Sequence, residues 1–228
     1  MQCVILVAGE GTRMYPLTLN KPKPLIKVGS KTILDHIIDA LPAKIDELIL
    51  VVGYKGEQIR EHCGDEYKGR KVCYIVQEDP KAGTGDALFC AESVVTGKFL
   101  MMYGDDIHGA KTLESAIQHD HCILASHSNT PEKFGVLELN ENGTLKSIIE
   151  KPKAPPSNLV NIGGAVLTHD IFNYKPPLSK VGEYYITDSI TDYAQIFPVD
   201  VIEQDLWLPI GYPDDIEKAE TALENINK

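Results

Sequence analysis

Four short apolar runs, "CVILVA" (3–8), "ELILVV" (47–52), "KVCYIV" (71–76) and "KFLMMY" (98–103), alternate with segments of helical periodicity. That alternation is what most constrains the fold. The runs are rich in branched side chains and show no wet face, as strands covered on both sides do. Between them, "TILDHIIDAL" (32–41), "GEQIREHC" (56–63) and "TGDALFCAESVV" (84–95) repeat their apolar residues at helical spacing. The pattern predicts an α/β fold in which a parallel sheet carries helices on both faces. Ligands of such sheets sit beyond the carboxyl ends of the strands. The loop after the first run, then "VQEDPKAGTG" and "YGDD", should therefore converge on one crevice.

The second half has a different grain. "FGVLELNENGTLKSIIEKP" (134–152) reads as two strands around an Asn-Gly turn, followed by the proline-rich "KPKAPPSN" and a further strand, "LVNIGGAVL". "YITDSITDYAQIF" and "PDDIEKAETALENI" read as helices, the latter with aspartate at its start. With 228 residues and 43% hydrophobic content, the chain can bury a substantial core. We read 1–228 as a single domain, with residues 1 to about 130 building the crevice and about 131–228 supplying a lid or second wall.

Thirty-three acidic against 22 basic side chains give a net charge of −11, which argues against a nucleic-acid surface. Any local cluster of cations is then informative. From Gly11 to Leu34 the cations Arg13, Lys21, Lys23, Lys27 and Lys31 occur with no acidic residue among them. This points to an anionic ligand, the plain alternative being a solvated basic loop. The five cysteines are odd in number and never form a Cys-x-x-Cys pair, as expected of reduced thiols in a cytoplasmic protein. His119, His121 and Cys122 lie close together without a second ligand pair, so no zinc site is expected. The chain has no leader-like basic start and no run near 18 apolar residues, so a soluble protein without membrane contact is expected.

The crevice motifs specify the anion further. Gly9 and Gly11 follow the first strand in "LVAGEGTRMYPLTLNKPKPLIKV" (6–28). A dinucleotide fingerprint would need glycine where Met14 stands, and a phosphate loop of the Walker type would need Gly-Lys-Ser/Thr where Met14-Tyr15-Pro16 stand. What remains is a loop whose two glycines let backbone amides approach a phosphate. Arg13 can bind phosphate oxygens with its planar fork, and Lys23, held between Pro22 and Pro24, adds a second charge. Gly83, Thr84 and Gly85 stand at a helix start, where Thr84 is the expected cap and Asp86 falls in the first turn. Gln77 carries a donor and an acceptor, the match of a pyrimidine imide. An aspartate of "YGDD" suits a magnesium ligand, with loop capping as the alternative.

"LVAGEGTRMYPLT…KPKPL" resembles the signature of the sugar-1-phosphate nucleotidylyltransferases. Gln77, Gly83-Thr84, Gly104-Asp105, "FGV" (134–136), "EKP" (150–152), "NIG" (161–163), "EYYITD" (183–188) and "WLPIG" (207–211) follow in that family's order. The resemblance covers essentially the whole chain. It implies the Rossmann-like nucleotide-diphospho-sugar transferase fold, a mixed, mostly parallel sheet, without the left-handed β-helix of longer relatives. It also implies a reaction: a sugar 1-phosphate attacks the α-phosphorus of a nucleoside triphosphate and releases pyrophosphate. Arg13, Lys23 and Asp105 are the implied catalytic residues, with Mg2+ on Asp105. The nucleotide is expected on Leu6, Ala8, Gly9, Gly11, Thr12, Arg13, Gln77, Gly83, Thr84 and Gly104. The sugar phosphate is expected on Gly135, Glu150, Lys151, Asn161 and Glu183. Glutamine at 77, where guanine-using relatives commonly carry glutamate, favours UTP or dTTP. Dimers and tetramers are frequent among such enzymes, which leaves a homo-oligomer open.

One position departs from the family pattern. Where many members carry the second metal-binding aspartate of Trp-x-Asp-x-Gly, this chain has Pro209. Three readings follow: Asp105 holds the ion with phosphates and waters, Asp106 or Asp205 substitutes, or the chain is a non-catalytic relative.

Overall fold

The computed structural model describes residues 1–204 and 206–226. The strands, in chain order, are β1 Gln2–Val7, β2 Glu47–Val52, β3 Arg70–Val76, β4 Lys98–Tyr103, β5 Cys122–His127, β6 Gly135–Leu139, β7 Leu145–Glu150, β8 Leu159–Thr168 and β9 Asp200–Glu203, with two-residue strands besides. The helices are α1 Ile33–Ala40, α2 Gly56–Cys63, α3 Thr84–Phe89, α4 Ala110–Ala116, α5 Ile186–Ala194 and α6 Asp214–Ile226.

The four apolar runs lie side by side as β4-β1-β2-β3, all parallel. Beyond β4 the sheet turns antiparallel. One edge of β8 pairs β4 through Gly164–Thr168 and β6 at Val160, while its other edge pairs β5. The β6–β7 hairpin closes around Asn142-Gly143 as its sequence requires, and β9 runs parallel to β5. Strands of both halves thus join one ten-stranded mixed sheet among the described residues.

The period of two along each strand divides the core in two. Cys3, Ile5 and Val7, with Leu48, Leu50 and Val52, face a cluster that takes in α1, α2, α4 and α6. Val4, Ile49 and Val51 face the cluster of α3 and α5. Each central strand is therefore covered on both faces, which is why its sequence is an unbroken apolar run.

Two local expectations are corrected. The helix expected over 84–95 ends at Phe89. The chain continues in tight turns, with Ala91 N–H donating to Leu88 O and Glu92 N–H to Phe89 O, so Ala87, Leu88, Ala91 and Val95 still share the buried side. Thr84 is not the cap of that helix. Gly83 is, and the Thr84 hydroxyl accepts from Ile186 N–H at 3.2 Å, joining the loop to the start of α5.

Candidate active site

The strand register sets the floor of the site. Leu6 lies opposite Tyr103, Val7 opposite Val52, and Val52 opposite Val76, so Ala8, Gly53, Gln77 and Gly104 leave the sheet at one level. A cleft of about 580 Å³ opens there. Every residue expected at the site lines it. Leu6, Ala8, Gly9, Gly11, Thr12, Arg13, Lys23, Gln77, Gly83, Thr84, Gly104 and Asp105 come from the first half; Gly135, Glu150, Lys151, Asn161 and Glu183 come from the second.

Lys23 and Asp105 form the centre. After β1 the chain passes Gly9, where a Cβ would have no protein atom within 4 Å, and turns at Gly11 through a left-handed conformation, φ 63°. A Cβ at Gly11 would stand 3.0 Å from Lys23 Cβ, so glycine lets the loop close over that lysine. Lys23 itself opens a short 3-10 turn behind Pro22 and is only 6% exposed. A buried ammonium needs an opposite charge. Asp105 supplies it, with its Oδ2 accepting from Lys23 Nζ at 2.9 Å. Burial alone would raise the Asp105 carboxyl, but the Lys23 charge and hydrogen bond, with Arg13 behind them, hold it below the ordinary carboxylate range. The carboxylate keeps 38% of its side-chain surface open. Arg13 stands exposed at the rim with its guanidinium 5.7 Å from the centroid of the Tyr212 ring.

The next aspartate does different work. Asp106 accepts from Trp207 Nε1–H and from Ile210 N–H, each at 2.9 Å, and so ties the late "WLPIG" segment to the floor. Burial, reinforced by the charge of Asp105, pushes its pKa up to about 7. Pro209 lines the cleft beside it and offers no ligand atom on its side chain. Asp205 lies outside the described residues.

The second half contributes a polar wall. Lys151 follows β7 in a left-handed conformation, φ 44°, uncommon for a residue with a Cβ and of the strained kind that collects at functional sites. Its Nζ lies 3.3 Å from Glu150 Oε1 and 5.7 Å from the centroid of Tyr185. Glu150 Oε2 accepts from the Thr187 hydroxyl at 3.3 Å, and Gly135 leaves room for it, since a Cβ there would sit 3.1 Å from that oxygen. Asn161 is buried and accepts from Gly163 N–H at 3.0 Å. Glu183 reaches the cleft from the loop before α5.

Tyr185, Thr187 and Tyr212 support these residues and carried no separate signal in the sequence, while Asp86, read there only as a first-turn residue, accepts from Gln77 Nε2–H at 2.9 Å. Tyr185 and Thr187 fall inside the quoted "EYYITD", but their roles depend on contacts formed only in three dimensions. His119, His121 and Cys122 each turn to a different partner. His119 pairs with Asp200 at 2.7 Å, His121 Nδ1 with the Tyr193 hydroxyl at 2.7 Å, and the Cys122 thiol with Ala116 O at 3.6 Å. Among the described residues no three His, Cys, Asp or Glu side chains gather as a metal cluster.

The family model for nucleotidyl transferases matches residues 2–226, nearly the whole chain. The chain belongs to the nucleotidyl transferase family. Among curated relatives, the UTP--glucose-1-phosphate uridylyltransferase AglF of Haloferax volcanii is 37% identical over 98% of this chain and 97% of its own length. The bifunctional protein GlmU of Methanococcus maripaludis is 33% identical over 99% of this chain, which spans only 55% of that longer protein. A UDP-glucose pyrophosphorylase solved with UDP-glucose shares the fold, with a TM-score of 0.84, 23% identity and 98% coverage of both chains. For this nucleotidyltransferase the fold expected from the sequence is the one observed.

Proposed function

We propose that the chain joins a sugar 1-phosphate to UTP or dTTP, giving a nucleoside-diphosphate sugar and pyrophosphate. A non-bridging oxygen of the sugar phosphate attacks the α-phosphorus, and the bond to the β-phosphate bridging oxygen breaks in line. The nucleophile is already an anion, so no base is required, and the protein's task is alignment and charge neutralisation. The observation that carries this reading is the Lys23–Asp105 pair, which presents a buried cation and an open carboxylate side by side on the cleft floor.

Lys23 and Arg13 are suited to the triphosphate, on a loop whose Gly9 leaves the cleft clear. Lys151, with Glu150 and Asn161, is suited to the sugar phosphate and its hydroxyls. Asp105 fits a magnesium ion, because a single exposed carboxylate leaves the remaining positions to phosphate oxygens and water, as that ion prefers. Asp106 fits poorly, since both its oxygens hold backbone or indole N–H groups. Bound Mg2+ would neutralise charge on the phosphates. The substrate pair named for the Haloferax relative supports UTP and glucose 1-phosphate as the first to try. Five unpaired thiols support a cytoplasmic location.

Pyrophosphate release from UTP, dTTP, CTP and GTP, with Mg2+ and a panel of sugar 1-phosphates, tests the reading. UTP or dTTP should lead, and Asp105→Asn should remove most of the Mg2+-dependent rate. Nucleotide binding without release for any pair would instead favour a non-catalytic relative.

A further inference from the structure

Gln77 leaves β3 at the cleft floor, 3% exposed. Its side-chain nitrogen donates to Gly83 O at 3.0 Å and to Asp86 Oδ2 at 2.9 Å. Both partners are acceptors, so chemistry fixes which way round the amide lies: Nε2 turns to the loop and helix, and Oε1 takes the other side. No described residue donates to Oε1. It is also absent from the sealed, unpartnered polar atoms of the described residues, which are His108 Nε2 and Ser189 Oγ. Because Gln77 lines the cleft, the oxygen opens onto it.

We propose that Asp86 is the positioning residue for nucleobase selection, holding the Gln77 amide so that only an acceptor faces the base. This rests on the reading of the cleft as a UTP or dTTP site. Uracil and thymine present an N3–H donor, which Oε1 can accept, whereas the Gln77 donor expected from the sequence to meet the imide as well is taken up by Gly83 O and Asp86. Cytosine at N3 and adenine at N1 present a lone pair, which would face the Oε1 lone pairs with both groups removed from water. Gly83 O is a weaker anchor by itself, because it also accepts Ala87 N–H of the first turn of α3 at 3.2 Å. Asp86 cannot donate while ionised and so forbids the reversed amide. A helix-start aspartate of purely structural use would stabilise α3 without influence on base choice.

The test compares kcat and KM for UTP, dTTP and CTP in the parent, Asp86→Asn and Asp86→Ala. Asparagine at 86 can donate to Oε1 and let the amide turn over, while alanine releases it. The UTP-over-CTP ratio of kcat/KM should fall by about ten- to a hundredfold in both variants, with the change in KM rather than kcat. Both should melt within about 5 °C of the parent. An unchanged ratio in the folded variants overturns the role of Asp86 while leaving the base site intact. A variant that does not fold makes Asp86 structural and also overturns it. A parent with no preference for UTP or dTTP over CTP overturns the underlying base-site reading.

Discussion

Lys23 combines two properties that rarely coexist: it is buried, and it lines the cleft. Its partner Asp105 compensates its charge, and Gly11 provides the space in which it lies. A lysine held this way needs little reorganisation when a triphosphate arrives, the condition under which one cation is worth most in a transition state. Lys23→Ala should lower kcat by roughly 10²–10³, read by initial pyrophosphate release at saturating nucleotide. Turnover within a fewfold of the parent would remove Lys23 from the mechanism. The role proposed for this residue was read from Pro-Lys-Pro and from the family signature, and the structure adds its place in the cleft. Its salt bridge was not, because Lys23 and Asp105 are brought together by the parallel pairing of β1 with β4.

At the scale of elements, α1 shows how the frame of the site is secured. Thr32 Oγ1 accepts from Asp35 N–H, and Thr32 N–H donates to Asp35 Oδ2, each at 3.0 Å, a reciprocal box that satisfies two helix-end donors. The other Asp35 oxygen takes the Tyr67 hydroxyl and His62 Nε2, tying α1 to the chain around α2. Burial opposes ionisation of Asp35, but the hydrogen bonds from Tyr67, Thr32 and His62 prevail and hold its carboxyl well below the usual range. A depressed folded pKa stabilises the protein above the unfolded value of about 3.9, and that stability is lost as pH falls from there towards the folded value. Asp35→Ala should cost about 2 kcal/mol at pH 7, a melting shift of roughly 4–8 °C, and the gap from the parent should narrow below about pH 4. A gap that stays constant with pH would contradict the assignment. The capping pair Thr32 and Asp35 went unread beside the apolar spacing of the helix, and Tyr67 and His62 as partners could not be read because their contacts form only in three dimensions. The true length of α3 was hidden for a different reason: tight turns keep the same apolar face down that a longer helix would.

At the scale of the molecule, one sheet carries both walls of the cleft. The parallel half was readable because strands covered on both faces write themselves as apolar runs. The antiparallel half was readable only as separate strands. The junction, where β8 pairs β4 on one edge and β5 on the other, depends on contacts more than 30 residues apart in sequence. That junction sets Lys151, Glu150 and Asn161 in the cleft that Lys23 and Asp105 also line. The same geometry leaves the late segment as a clamp on Asp106 with Pro209 exposed to the cleft, so among the described residues Asp105 is the side chain we propose for the metal. The most direct measurement follows the phosphorus atoms themselves. Purified protein with Mg2+, UTP and glucose 1-phosphate, observed by 31P NMR, should replace both substrates with equal amounts of a diphosphate-linked nucleotide sugar and pyrophosphate. Unchanged UTP and sugar phosphate, in a sample where UTP raises the melting temperature and dTTP with other sugar phosphates is equally inert, would contradict the account.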